Sequence, residues 1–302
     1  MLRYARNDDR EVVMDPKALQ QAIELYDRFT HEGMDRRDFF GRMTLIAGST
    51  AAATSLIAAI AASPAAAVIV PADDPRLTTR MMTFENPAGY KAYVAEPRTR
   101  SLKATVLVVH ENRGLNEHTR DVARRFALEG FRAVAVDFLS LAGGTPTNND
   151  DAAREAIGKL DLGKTTTDAV TMLTELAKSS RAGKVGAVGF CWGGAFVNRL
   201  AVAAGDKLDA GVVYYGPAPD PSEAAKVQAP LLIHHAGLDA RVAATLFPWV
   251  DALRAAKKPV TYQGYDGANH AFNNDTSAER YNKEAADLAW GRTVRFFKRY
   301  LG

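Results

Sequence analysis

A glycine-rich turn between an apolar run and a helix-forming segment constrains this chain more than any other feature. The run 184–188 leads into the pattern Gly-x-Cys-x-Gly-Gly over residues 189–194, with Cys191 at its centre. Small residues two positions before and after a central residue are typical of a nucleophile elbow, because this strand-to-helix turn leaves no room for side chains there. Such a turn strains the backbone of its central residue and points that side chain above the sheet. The pattern therefore predicts a nucleophilic Cys191.

Cys191 is the only cysteine among the 302 residues, so the chain has no internal disulfide. A thiol suits the elbow position, since a small fraction is already thiolate near neutral pH. The alternative is a buried cysteine that acts as a small apolar side chain. A general base and an orienting acid elsewhere in the chain would favour the catalytic interpretation.

The base and the acid are sought after the elbow, because chain order in elbow folds is nucleophile, acid, histidine. His270 follows a predicted strand in a loop of small residues, and Asp239 follows the strand before it. Asp239 is expected to accept the ring proton of His270 and to fix its tautomer. Asp266 is a rival acid on the same loop as His270. His234 and His235 lie within an apolar strand, where packing is the better interpretation.

The predicted fold is α/β, with a mostly parallel central sheet covered by helices on both faces. Continuous apolar runs alternate with helical patterns, which is typical of such sheets. Functional residues are then expected in loops at the carboxyl ends of the strands. The predicted strands cover 90–94, 105–109, 133–136, 184–188, 211–215, 231–235 and 260–264. Helices are predicted over 119–128, in the stretch that ends at residue 178, over 241–256 and over 278–300. Residues 71–75 are predicted to form a mobile leader.

The loop after the first buried strand supplies the remaining part of a candidate site. In elbow folds this loop donates one backbone N–H to the oxyanion hole, and the residue after the nucleophile donates the other. These donors would be Asn112 and Trp192. Glu111 beside them needs a partner if it lies in the site, since burying a lone carboxylate is costly. The alternative is an exposed, solvated loop acid.

Residues 34–67 resemble a twin-arginine export signal. Arg36 and Arg37 precede two aromatic residues. An apolar stretch that also contains Gly, Ser, Thr and many Ala follows over 43–62, and small residues over 63–67 form a cleavage pattern. The alternative is an uncleaved membrane anchor over 43–62, since about 20 such residues can span a bilayer. We therefore predict an N-terminal extension over 1–33, a signal over 34–67 and one domain over 68–302. The expected location is the periplasm or outside the cell, with the export machinery as a partner and only transient membrane contact. A net charge of +3 gives no reason to expect a nucleic-acid partner.

Four motifs in the correct order together resemble the dienelactone hydrolase (carboxymethylenebutenolidase) family of α/β-hydrolases. They are 109–116 (Val-His-Glu-Asn-Arg-Gly-Leu-Asn), 189–194 (Gly-Phe-Cys-Trp-Gly-Gly), 235–239 (His-Ala-Gly-Leu-Asp) and 269–272 (Asn-His-Ala-Phe). The resemblance covers about residues 80–300. It implies a Cys191–His270–Asp239 triad with no metal or organic cofactor. It also implies that Glu111 contacts the resting cysteine and keeps it neutral until substrate displaces the carboxylate.

The chain departs from that family where the substrate carboxylate is bound. Dienelactone-cleaving members carry an arginine after the strand matching 133–137 and another just past the catalytic histidine, whereas this chain has Phe138 and Phe272 in those stretches. Arg113 or Arg241 could take over that role. The resulting hypothesis is a thiol hydrolase that cleaves a lactone or ester, its small-molecule substrate, through a thioester acyl-enzyme. The alternative is a non-catalytic binding module or a redox-reactive thiol protein on the same fold.

Overall fold

A computed structural model describes residues 3–5, 11–61, 68–98, 104–147, 149–180 and 183–302 of the protein. The chain divides into two compact units. The first comprises Met1–Ala67 together with Asn274–Asn282, and the second comprises Val68–Asn273 together with Lys283–Gly302. The sequence did not lead us to expect that a segment after His270 would belong to the N-terminal unit.

The N-terminal unit is mainly helical. It contains a short antiparallel strand pair and three helices, each of which begins at a side-chain cap. Asp35, for example, accepts hydrogen bonds from the backbone N–H groups of Arg37 and Asp38 at the start of the second helix. The elements are Arg3–Ala5 (β1), Glu11–Val13 (β2), Pro16–His31 (α1), Arg36–Ala47 (α2) and Thr50–Ile60 (α3).

An apolar core and a segment from late in the chain hold this unit together. Phe39 of α2 stacks on Phe29 of α1 at 4.1 Å between ring centroids. The hydroxyl of Ser277 donates to the carbonyl oxygen of Ile60 at 2.7 Å. The Arg280 guanidinium lies 3.3 Å from the carboxylate of Asp27. Residues 274–282 therefore form turns, and the helix begins at Lys283. The helix predicted over 278–300 is wrong in its first residues.

No single helix in the described part of the chain is long and apolar enough to cross a membrane. Helices α2 and α3 reach that length and composition only as a pair, with a bend of 103° between them. The bend follows from Gly48, which ends α2 with a φ of 81°, and from Ser49, which caps α3. Residues 62–67 of the predicted signal lie outside the described residues.

In its described residues, the second unit forms a sheet of eight strands with six α-helices. The strands are Leu77–Thr83 (β3), Lys91–Pro97 (β4), Thr105–Val109 (β5), Arg132–Asp137 (β6), Val185–Phe190 (β7), Ala210–Tyr214 (β8), Leu231–Ala236 (β9) and Val260–Tyr265 (β10). The helices are Glu117–Leu128 (α4), Asp150–Gly158 (α5), Leu162–Ser179 (α6), Trp192–Ala203 (α7), Ala240–Ala255 (α8) and Lys283–Leu301 (α9).

The sheet order is β10-β9-β8-β7-β5-β6-β4-β3, and all pairs from β10 to β6 are parallel. Strands β4 and β3 add an antiparallel edge. Every residue of β5, β7, β8 and β9 is buried, which requires cover on both faces of the sheet. The predicted mostly parallel α/β sheet is therefore confirmed, and β3 is a strand that the sequence analysis missed.

Polar contacts anchor the chain before β3. The buried carboxylate of Asp121 on α4 accepts the backbone N–H groups of Ile69 and Val70, and Arg124 donates to the carbonyl of Val70. Asp74 pairs with Arg76 at 2.6 Å. Buried charged groups on α4 thus anchor the approach to residues 71–75, and the mobility of that segment itself stays a prediction.

The connections around β5 determine where a site can form. The chain leaves β5 toward β6 on one side, and β7 pairs on the other side. The loop after β5 and the turn after β7 therefore lie next to each other at the carboxyl edge of the sheet. In open α/β sheets such a switch point is the usual place for a ligand.

Candidate active site

The turn after β7 has the geometry of a nucleophile elbow. Cys191 has φ 56° and ψ −115°, a conformation that non-glycine residues rarely adopt. A Cβ atom on Gly189 would lie 2.0 Å from the carbonyl oxygen of Gly193, and one on Gly193 would lie 2.5 Å from the carbonyl oxygen of His110. Both glycines are therefore required by close backbone approaches, as the motif predicts. Cys191 itself is 5% exposed.

His270 and Asp239 come from the loops after β10 and β9, and the structure brings them together. The Nδ1–H of His270 donates to Oδ2 of Asp239 at 2.6 Å. The other oxygen of Asp239 accepts the N–H of Val242 and so caps α8. Because Nδ1 carries the proton toward the carboxylate, Nε2 is the nitrogen that can act on a substrate or a thiol. The acid that orients His270 is thus Asp239 rather than Asp266.

Cys191 and His270 are neighbours in this site. A ring nitrogen of His270 lies within 4.8 Å of Sγ of Cys191. Burial opposes protonation of His270, but the interactions with Cys191 and with the carboxylate of Asp239 outweigh it and raise the pKa of His270. Burial likewise opposes ionisation of Asp239, but His270 and Arg241 hold the pKa of that carboxyl below its usual range. The carboxylate of Asp239 thus stabilises the imidazolium that forms once His270 has taken up a proton.

Glu111 lies inside the site and has a buried partner. Its side chain is 8% exposed, which differs from a solvated loop acid. The hydroxyl of Tyr215 donates to Oε1 of Glu111 at 3.3 Å. Burial and the charge of Glu111 raise the pKa of Tyr215, so the phenol keeps the proton that it donates. The ring of Tyr215 also packs edge-on against His270, with 5.1 Å between ring centroids.

His110 contacts the loop and the helix start that carry the two predicted oxyanion-hole donors. Its Nδ1 is 2.6 Å from the carbonyl oxygen of Glu111, and its Nε2 accepts the N–H of Phe138 at 3.3 Å. Its ring stacks on Trp192, with 5.3 Å between centroids and 14° between planes. Burial lowers the pKa of His110, so the ring is neutral. Asn112 and Trp192 are both partly exposed at this edge of the sheet.

The four predicted substrate-binding residues differ in their surroundings. Arg113 is 7% exposed and pairs with Asp150 at 3.0 Å. Arg241 lies 3.7 Å from Asp239 and 3.4 Å from Nδ1 of His270, at the mouth of the triad. Phe138 and Phe272 are both fully buried among other aromatic rings. A direct role for any of the four in binding substrate stays a prediction.

Sequence reasoning missed Tyr215 and His110 as site residues. Tyr215 follows β8 with a φ of 39°, and the sequence analysis assigned it to the strand. Both residues stand directly after strands that flank the elbow strand, and that position was the available signal. His234 and His235 fit the packing interpretation, since His234 is buried and hydrogen-bonded to Tyr265 and Thr293.

The fold and this arrangement define an α/β-hydrolase with a cysteine at the nucleophile position. The family model described as "Dienelactone hydrolase family" matches residues 90–301, so the chain belongs to the dienelactone hydrolase family. A Saccharolobus solfataricus protein named as a candidate carboxymethylenebutenolidase is 31% identical over 248 residues, which cover 70% of this chain and 95% of that protein. An Escherichia coli protein with the same name is 31% identical over 260 residues, or 80% and 94% of the two chains.

Solved structures agree with this assignment. The crystal structure of a candidate dienelactone hydrolase from Klebsiella pneumoniae has a TM-score of 0.65 and 26% identity, covering 74% of this chain and 99% of that chain. The dienelactone hydrolase of Anabaena variabilis has a TM-score of 0.58 at 19% identity, covering 75% of this chain and all of that chain, and it shares the fold. The protein is therefore a hydrolase of the dienelactone hydrolase type.

Proposed function

We propose that this protein hydrolyses a lactone or carboxylic ester through a thioester acyl-enzyme on Cys191. The observation that supports this most is the strained elbow at Cys191 together with the 2.6 Å hydrogen bond from His270 to Asp239. A binding module would gain nothing from a strained thiol beside an oriented histidine.

The reaction would proceed in two steps. His270 removes the thiol proton, Sγ of Cys191 attacks the carbonyl carbon, and the protonated His270 gives its proton to the leaving alkoxide. In a lactone the alkoxide stays on the same molecule. His270 then removes a proton from water, the hydroxide attacks the thioester, and Cys191 leaves as the thiol after taking the proton back.

Two further groups would assist these steps. The backbone N–H groups of Asn112 and Trp192 would bind the developing oxyanion. Glu111, held by Tyr215, would disfavour a second negative charge on Cys191 in the resting enzyme. A substrate that displaces the carboxylate would then release the thiol for reaction. A neutral resting thiol resists oxidation, since oxidation follows thiolate character. That no metal or cofactor takes part stays a prediction.

The substrate is proposed to carry a neutral acyl group. Arg113 is engaged by Asp150, and Arg241 lies beside the carboxylate of Asp239. The two stretches that carry an arginine in dienelactone-cleaving members have none here and hold the buried aromatic residues Phe138 and Phe272. An unpaired substrate carboxylate would be costly to bury beside such rings.

The test is hydrolysis of a chromogenic aryl ester by the wild type and by three variants. Cys191→Ala and His270→Ala should each lose about 10³-fold or more of kcat/KM, and Asp239→Asn should fold but lose much of its activity. Asp266→Asn is the matched control and should retain activity. Full activity of the Cys191 or His270 variant would refute the triad, whereas no hydrolysis by the wild type would favour a binding or redox-thiol role.

A further inference from the structure

The most informative group outside the triad is His110, a buried histidine that the proposed reaction does not use directly. Its side chain contacts both halves of the proposed oxyanion hole: the loop after β5 and the first residue of α7. The inference below rests on the proposed acyl-transfer function, because an oxyanion hole has meaning only for that chemistry.

The hydrogen bonds of His110 determine its tautomer. A carbonyl oxygen can only accept, so Nδ1 must carry the proton that it shares with the carbonyl of Glu111. A backbone N–H can only donate, so Nε2 must be the unprotonated nitrogen that accepts from Phe138. A neutral ring meets both requirements at once, and burial keeps the ring neutral.

The bond to Glu111 also sets the direction of the next N–H group. The carbonyl of Glu111 and the N–H of Asn112 belong to one planar, trans peptide and therefore point in opposite directions. When the Nδ1–H of His110 holds that carbonyl on its own side, the N–H of Asn112 is turned the other way. Asn112 is the predicted oxyanion donor of this loop.

The same ring fixes the second donor. Trp192 lies nearly parallel to His110 and also stacks on Phe196 of α7, with 5.3 Å between each pair of centroids. The first turn of α7 approaches the backbone of His110 so closely that Gly193 has no room for a Cβ atom. The ring stacking and the close backbone approach both involve His110, and together they hold the N–H of Trp192 in place.

We propose that His110 is the positioning residue of the oxyanion hole: through Nδ1–H it orients the Glu111–Asn112 peptide, and through its ring it locks Trp192. Preorganised donors stabilise charge that develops in the transition state, so a misaligned peptide should slow acyl transfer. It should not slow reactions of the thiol that form no oxyanion.

Two substitutions separate the parts of this role. His110→Phe keeps a ring for Trp192 but removes both hydrogen bonds. His110→Gln keeps one donor and one acceptor but removes the ring. His234→Phe is the matched control, since His234 is equally buried and also makes two side-chain hydrogen bonds, to Tyr265 and Thr293.

Three measurements on the full chain test the proposal. For His110→Phe we expect kcat/KM for an aryl ester to fall roughly 10- to 100-fold, less than the loss of a whole donor. Inhibition by a trifluoromethyl ketone, which forms an oxyanion adduct with the thiol, should weaken in parallel. Alkylation of Cys191 by iodoacetamide, which forms no oxyanion, should change less than about threefold. His110→Gln, which restores the hydrogen bonds but not the ring, should recover part of the activity, and His234→Phe should lose little.

Amide hydrogen exchange of the segment 110–116 provides a readout that does not require activity. It should be faster in His110→Phe than in the wild type and unchanged in His234→Phe. Equal losses of ester hydrolysis and alkylation, or unchanged exchange in 110–116, would overturn the positioning role. If the wild type hydrolyses no ester, the proposed function fails, and the exchange data still decide whether His110 orients this loop.

Discussion

At the scale of single residues, Cys191 combines a thiol side chain with a backbone conformation that is energetically costly to maintain. A non-glycine residue at φ 56° and ψ −115° persists only where its surroundings enforce it. Tyr215 and Ala271, with φ values of 39° and 64°, show the same feature on the neighbouring loops. Strain at three positions around one point is typical of a functional site.

Glu111 and Tyr215 lead to a prediction about the state of the thiol. If Glu111 contacts Cys191 as proposed, Glu111→Gln removes a negative charge beside the thiol, so a larger thiolate fraction is expected at a given pH. The rate of iodoacetamide alkylation, measured over about pH 5–9, should therefore begin to increase at a lower pH in the variant than in the wild type. Tyr215→Phe leaves the charge and removes only the donor to Glu111, which makes it the matched control. Superimposable profiles for Glu111→Gln and the wild type would contradict a gating role for the carboxylate.

Arg241 leads to a prediction about substrate charge. A hydrogen bond to a charged group is worth about 1.5–3 kcal/mol, so each missing family arginine should cost roughly 10- to 100-fold in kcat/KM for an anionic substrate. We expect the enzyme to prefer a neutral lactone or aryl ester over a dienelactone at moderate salt. If the dienelactone is strongly preferred and Arg241→Gln abolishes that preference, Arg241 is a clamp and the neutral-substrate proposal is wrong.

At the scale of elements, β9 carries a buried polar group whose protonation should govern acid stability. Burial, assisted by the charge of Arg292, lowers the pKa of His234 to about 3. The folded protein therefore binds fewer protons at this ring than the unfolded chain does between pH 6.5 and 3, and stability is lost as the pH falls through that range.

We expect this single group to cost about 2 kcal/mol of stability at pH 5 relative to pH 8. The measurement is urea unfolding of the wild type and of His234→Phe at several pH values. The variant should be less stable at pH 8 but should lose less on acidification. Parallel pH dependences would show that another group controls acid unfolding.

The sequence predicted the central elements well because their patterns have simple physical causes. Strand β5 is an apolar run buried on both faces, and its predicted bounds match the structure. Lys283 shows the opposite case. The pattern over 278–300 suits a helix, but Arg280 pairs with Asp27 some 250 positions earlier, and no local signal reveals that contact. Tyr215 and His110 were missed as site residues for a similar reason, since their roles come from neighbours in space.

At the scale of the whole molecule, the N-terminal unit bears on the fate of the predicted signal. Arg36 and Arg37 are exposed at the start of α2, whereas Met43 and Leu56 are buried in the core of that unit. Cleavage after residue 67 would remove α1, α2 and α3, and the segment Asn274–Asn282 would lose the partners that it has there. Export therefore stays a prediction, and cleavage after residue 67 is the consequence that tests it.

Replacing Arg36 and Arg37 by lysine should leave unprocessed protein in the cytoplasm, because a receptor that reads a guanidinium pair does not accept ammonium groups. Arg42→Lys on the same helix is the matched control. Cell fractionation with N-terminal sequencing should place the mature wild-type terminus near Val68. An intact N-terminus in a membrane fraction would favour the anchor over 43–62, and unchanged periplasmic recovery of the double variant would refute the twin-arginine route.

The central claim is that Cys191 carries the acyl group during hydrolysis. Its most direct test is intact-protein and peptide mass spectrometry after rapid mixing with an aryl ester and acid quenching. The wild type should gain the mass of one acyl group on the peptide that contains Cys191, the adduct should be released by hydroxylamine, and Cys191→Ala should show neither adduct nor turnover. Steady hydrolysis without an adduct on that peptide, undiminished in Cys191→Ala, would contradict the thioester mechanism.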